Sequence, residues 1–392
     1  MSVKNRRITV LGAGIGGLAA AIALARLGAR VHVLEQAEEI REIGAGLQIS
    51  PNGAAVLRAL GLGPELARIG LRPEAVALRD GPGGARVFGL DLGRLGPDQR
   101  YYFVHRADLI SMLAEAARAE GVVLHLLHKV TQVTPQDDGG TCLTTQQGAQ
   151  VHADILIAAD GVKSLVRGVL NGAEAPFFTH QVAWRATVPA TGAEPRIATV
   201  FMGPGRHMVT YPLRDGREMN IVAVEERRAW ADEGWRHPDD PDNLRRAFSG
   251  FCADAQAILR RVETVHLWGL FRHPVAERWH QGRVALLGDA AHPTLPFLAQ
   301  GAVMALEDAW VLADCLKGAG TIETGLARYQ HRRRMRVERV VDAASKNARN
   351  YHLRFPPARF VAHAALRLAG GLAPGLALKK FDWLYGHDVT KT

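Results

Sequence analysis

Cysteine is scarce in this chain of 392 residues: Cys142, Cys252 and Cys315 lie far apart and form no CxxC pair. That spacing argues against a disulfide framework and a thiolate metal centre, so no metal is expected, and a reducing cytoplasm is the expected compartment. Long apolar runs are missing as well. The stretch from Ile8 to Leu27 is interrupted by Gly12, Gly14, Gly16, Gly17 and Arg26, short of the roughly 18 uninterrupted apolar residues a membrane span needs. It also lacks the small-residue cleavage pattern of a secretory signal. Aromatics are only 6% of the residues, and no stacking pattern, zinc-finger spacing or helix-turn-helix signal accompanies the net charge of +9. A nucleic-acid partner is therefore not expected. The one basic run, His331-Arg332-Arg333-Arg334 with Arg336 and Arg339 beyond it, reads as a solvated helix face.

A 47% apolar fraction and this length allow two or three structural units over a large interior. Periodicity predicts a strand at Arg7 to Leu11, a helix from about Ile15 to Leu27 and a strand at Arg30 to Glu35, the opening of a βαβ unit. A helix from Asp108 to Glu120, capped by Asp108 and ended by Gly121, leads into a strand at Val122 to Leu127. Short β segments with glycine and proline turns fill His180 to Glu225 and read as a separate sheet. One helix is expected over about Pro241 to Arg261 and a strand over Arg283 to Leu287, with mostly helix after Gly301.

Between the first strand and helix, Gly12-Ala13-Gly14-Ile15-Gly16-Gly17 fits G-x-G-x-x-G. The glycines permit a tight turn, close approach of a pyrophosphate and close helix–strand packing, while the helix start offers N–H groups and a positive dipole end. Glu35, followed by Gln36, ends the second strand where a carboxylate can accept from ribose hydroxyls. On this loop alone the ligand is any ADP-containing dinucleotide.

Two later apolar strands also end in a glycine and an aspartate: Asp160-Gly161 after Ile155 to Ala158, and Gly288-Asp289 before His292-Pro293. Taken in order, the three motifs resemble those of the class A flavoprotein aromatic hydroxylases, from about Ile8 to Asp388. The resemblance implies non-covalent FAD held by Gly12, Gly14, Ile15, Gly16, Gly17, Glu35, Gln36, Arg106, Asp160, Gly161, Gly288, Asp289 and Pro293, with NADH or NADPH as co-substrate. Gly301 and Ala302 look like the start of that family's flavin-facing helix, whose N–H groups stabilise negative charge on the reduced ring. Pattern and resemblance together give an α/β fold. A Rossmann-like FAD-binding domain of the glutathione-reductase type comes from residues 1–75, 100–178 and 269–350; a mixed β-sheet substrate domain from 76–99 and 179–268; and a C-terminal helical region from 351–392.

In such enzymes a flavin C4a-hydroperoxide, formed with O2, attacks an electron-rich ring, and a base that ionises a ring hydroxyl assists it. His207 suits that task, and His207, Val209 and Tyr211 share one face of a strand, His207 and Tyr211 being about 13 Å apart along it. The His-xxx-Tyr pair resembles that of the family's hydroxybenzoate and hydroxynicotinate hydroxylases, where it lines the substrate site. Pro296 and Phe297 stand where those relatives place a Gln or His, and Gln48 agrees better with the hydroxybenzoate branch. The expected substrate is a hydroxybenzoate such as 3-hydroxybenzoate or salicylate. An N-heteroaromatic or larger polycyclic substrate, and a flavin-binding sensor or peripheral binding protein without hydroxylase activity, stay open, as does assembly into a homodimer. The segment Phe381 to Asp388, with Trp383 and Tyr385, resembles salicylate-hydroxylase-type proteins and is given a packing role.

Overall fold

The structure, a computed structural model, describes residues 3–40, 45–227, 229, 237–372 and 374–391. Arg7–Leu11 pairs in parallel with Arg30–Leu34 on one side and Leu156–Ala158 on the other. Val284–Leu286 and Val123–His125 extend this sheet in parallel, and His280–Gln281 closes one edge antiparallel. Ile8, Val10, Val31, Val33, Leu156 and Ile157 are all buried, the near-continuous apolar strand pattern of a sheet covered on both faces. Helix Ile15–Arg26 carries no charge before Arg26 and buries Ile15 to Leu24 without interruption. Its run of small alanines lets it pack closely on helix Arg106–Ala119 and helix Gly301–Lys317.

An eight-stranded sheet stands beside this unit. In spatial order it holds His237–Asp239, Val265–Arg272, Phe177–Pro189, Glu218–Glu226, Arg206–Leu213, Ile197–Gly203, Ala75–Asp80 and Arg86–Asp91. The last two strands come from the early part of the chain, and Ala75–Asp80 is parallel to Ile197–Gly203 while the other pairings are antiparallel. On Phe177–Pro189 the pleat sends Trp184, Ala186 and Val188 into the core, under Leu244 and Phe248. Its intervening residues face the other way.

Three expectations need correction. The helix at Arg106 begins two residues before Asp108, with His105 preceding it and no side-chain cap; Asp108 instead accepts from Arg214 at 2.9 and 3.0 Å. The expected helix at Pro241 to Arg261 is two, Pro241–Ala247 and Ala253–Arg260, because Phe248 and Phe251 turn inward at the break. The basic run lies on the 30-residue helix Ile322–Tyr351 and is a solvated face only in part: His331 and Arg339 are exposed, but Arg333 is 1% exposed, inserted against Glu307 and Asp308 of the preceding helix. None of the described helices is long and apolar enough to cross a membrane.

Candidate active site

The turn after Arg7–Leu11 sets the site's floor. Gly12 has φ +101°, and a Cβ there would stand 2.4 Å from the Ala159 carbonyl oxygen; one at Gly17 would stand 2.0 Å from the Gly12 oxygen. Only glycine lets the two parallel strand ends and the helix start meet this closely. Replacing Gly12 by Val is expected to add about 1–3 kcal/mol of backbone strain, besides the clash, and to yield a protein that purifies largely without its yellow cofactor; absorbance at the flavin bands against 280 nm checks this.

A cavity of about 2080 Å³ opens above this turn and draws its lining from both sheets. It brings together every site residue named from the sequence: Gly12, Gly14, Ile15, Gly16 and Gly17; Glu35 and Gln36; Gln48; Arg106; Asp160 and Gly161; His207 and Tyr211; Gly288, Asp289, Pro293, Pro296, Phe297, Gly301 and Ala302. Glu35 is already engaged, accepting from the Ala13 N–H at 2.7 Å and the Ala37 N–H at 2.8 Å, so it braces the loop as well as facing the cavity. Asp160 accepts from Ser164 Oγ at 2.6 Å and the Leu165 N–H at 3.0 Å, which fixes the turn that carries Gly161. Burial pushes its carboxyl up, and likewise that of Asp289, where Arg106 and His292 oppose the rise.

These residues fit FAD. Helices Ile15–Arg26 and Gly301–Lys317 both start without a side-chain cap or an acidic residue in the first turn, and both starts line the cavity. Two sets of backbone N–H groups and two positive dipole ends thus face the same space, one suited to a pyrophosphate and one to the electron-accepting end of a flavin. At Gly14 and Gly161 a Cβ would meet nothing within 4 Å, so the backbone lies open to a ligand.

The far wall belongs to the eight-stranded sheet. His207 is 2% exposed, with Phe297 and Tyr351 at ring-centroid distances of 5.5 and 5.2 Å. Its Nδ1 lies 2.7 Å from Nε2 of His352, and burial, followed by that neighbouring imidazole, holds its pKa well below the ordinary histidine value. Tyr211 packs on Phe103 at 4.9 Å, and burial pushes its hydroxyl pKa up.

The sequence reading overlooked several residues. Arg185 lines the cavity over the Trp268 ring at 5.0 Å; burial, then the like charge of Arg106, lowers its pKa to about 9, so an anion bound here relieves two unfavourable effects at once. Strand alternation could have found it, since it neighbours the buried Trp184. Tyr101 donates to Gln48 Oε1 at 2.8 Å and stands edge-on to Tyr385, which lines the cavity with Phe381. Phe381 and Tyr385 therefore form part of the site wall, while Trp383, under Arg339 at 4.2 Å, and the buried Leu384 keep a packing role.

Fold and site define a flavin-dependent aromatic monooxygenase with FAD as its cofactor. The chain belongs to the family described as FAD binding domain, which matches residues 6–344. It is 34% identical to 3-amino-4-hydroxybenzoate 2-monooxygenase PtnB3 of Streptomyces platensis, over 99% of this chain and 98% of the relative. It is also 34% identical to 3-hydroxybenzoate 6-hydroxylase of Polaromonas naphthalenivorans, over 97% and 96%. Among solved structures it resembles Klebsiella pneumoniae HpxO complexed with FAD and uric acid, with a TM-score of 0.83 and 28% identity over 94% of each chain.

Proposed function

We propose that this enzyme uses NAD(P)H and O2 to hydroxylate a small aromatic acid that already carries a ring hydroxyl, a hydroxybenzoate such as 3-hydroxybenzoate or salicylate. The observation that carries the reading is that His207 and Tyr211 line the same cavity as the FAD-binding corner. FAD, when bound, supplies the redox chemistry, taking electrons from the nicotinamide and activating oxygen. The chain's own residues then have three tasks. Val209, Val222, Val224, Leu295 and Phe297 enclose an apolar space that excludes water. Tyr211 and Gln48, the latter held by Tyr101, orient the ring substituents. His207 removes the hydroxyl proton, which makes the ring a far stronger nucleophile. Two curated relatives named for hydroxylated benzoates support an aromatic acid.

The test is a panel of 3-hydroxybenzoate, salicylate, 3-amino-4-hydroxybenzoate and 6-hydroxynicotinate. One of the benzoates should stimulate both NAD(P)H oxidation and oxygen uptake, with a product one oxygen atom heavier by mass spectrometry, or with carboxyl replaced by hydroxyl. Stimulation by 6-hydroxynicotinate alone would move the substrate to the N-heteroaromatics, and no stimulation by any compound would reject the reading.

A further inference from the structure

His207 does not end in the protein interior. Its Nδ1 meets His352 Nε2 at 2.7 Å, His352 Nδ1 meets Glu226 Oε1 at 3.0 Å, and Glu226 Oε2 accepts from Arg354 at 2.6 and 2.8 Å. The side chain of His352 is 1% exposed, that of Glu226 31% and that of Arg354 66%, so the chain runs from the cavity to solvent in two steps. Three elements supply it: strand Arg206–Leu213, strand Glu218–Glu226 and the turn after helix Ile322–Tyr351.

The hydrogen-bond directions follow from charge. An ionised Glu226 can only accept, so His352 Nδ1 carries a hydrogen. A neutral His352 then has a lone pair on Nε2, which obliges His207 Nδ1 to be the donor. The remaining nitrogen of His207, Nε2, is left as a bare lone pair on a ring that lines the cavity.

From this geometry we infer that His352 and Glu226 form, with His207, a proton relay that carries the substrate's hydroxyl proton from the cavity to the surface. The inference rests on the reading of His207 as the base. As the substrate O–H bond breaks, its proton joins His207 Nε2; the Nδ1 proton of His207 passes to His352 Nε2; and the Nδ1 proton of His352 passes to Glu226, which releases it to water. Charge balances because one proton enters and one leaves, and neither imidazole has to remain charged. That resolves a difficulty with a lone base: burial strongly disfavours an imidazolium at His207. The other charged groups near His352 are Arg206, itself paired with Glu225, and Arg354; both disfavour a second positive charge on the ring, while Glu226 favours one. Arg354 also lowers the Glu226 carboxyl, which helps it give the proton up. His352 and Glu226 are thus positioning and relay residues, acting through His207.

Glu226→Gln keeps an oxygen to accept from His352 but cannot take up a proton. With the panel acid that binds best, stopped-flow measurements without oxygen would follow phenolate absorbance and, through an indicator dye, proton release. The expected result is formation of both slowed about tenfold or more in Glu226→Gln and in His352→Asn, with the substrate Kd and the flavin spectrum unchanged. Normal phenolate and proton-release rates in both variants, alongside loss of phenolate in His207→Gln, would overturn the relay and leave the base in place. Normal phenolate formation in His207→Gln would instead overturn the reading on which the relay rests.

Discussion

Replacing Arg333 by Met is expected to cost about 3–5 kcal/mol of stability, the usual penalty for leaving buried charge uncompensated. Arg333 lies 2.6 Å from Glu307 and 2.7 Å from Asp308, and all three side chains are at most 1% exposed. Methionine fills similar volume, so lost packing is a minor part of the effect. The damage should reach the cofactor, because the two carboxylates also hold cavity-lining segments. Asp308 accepts from the Gly288 N–H at 3.1 Å and pairs with His292 at 2.5 Å. Glu307 accepts from Asn52 at 2.7 Å, and Asn52 donates to Gln300 at 3.2 Å, immediately before the cavity-lining helix start at Gly301. Equilibrium urea unfolding at pH 7 and fluorimetric FAD titration would check both effects; wild-type stability would show that Arg336, which also pairs with Glu307, suffices alone.

The same cluster sets an acid limit. Against burial, Arg333 and Arg336 hold Glu307 down at about 2 from an ordinary 4.5, and His292 followed by Arg333 holds Asp308 down at about 2 from 3.8. A folded-state pKa below the unfolded one means that the stabilisation is complete above about pH 4.5 and lost as pH falls toward 2. In Arg333→Met the loss should begin at higher pH, since the carboxylates are then protonated more easily.

The sequence was most informative where a signal is local. The Gly12 corner could be read because a positive φ and a backbone approach within 2.4 Å leave one acceptable residue type. The strand ends at Asp160 and Asp289 were legible for a similar reason, each being a turn closing an apolar strand. Arg333 was misread because its burial is decided by Glu307 and Asp308, some 25 residues away on another helix, and no pattern within its own helix reports a partner elsewhere. His352 carries no local motif at all: its meaning comes from strands more than a hundred residues earlier that bring His207 and Glu226 beside it. The helix start near Asp108 was misplaced because ion pairing outweighed capping preference there, and the break at Phe248 was missed because core burial decides it.

In His207→Gln, hydroxylation near neutral pH is expected to fall by about 10²–10⁴-fold, the range over which a positioned general base contributes. The loss should also carry a distinctive pH dependence. In the wild type burial keeps His207 neutral far below pH 6.5, so the base stays in its proton-accepting form across the neutral range and the rate should change little there. Glutamine offers no basic nitrogen, and the substrate must then ionise by itself. A phenol with a pKa of about 10 gains roughly tenfold in phenolate for each unit of pH below that value, so the variant's rate should climb steeply where the wild type's is flat. Flavin reduction and oxygen consumption need no phenolate, so reduced enzyme should keep consuming oxygen while product yield drops and hydrogen peroxide accumulates. Product yield per NAD(P)H, measured from pH 6 to 9, separates these outcomes: equal yields for variant and wild type at pH 6 would remove His207 from the chemistry and leave Tyr211 or solvent to ionise the ring.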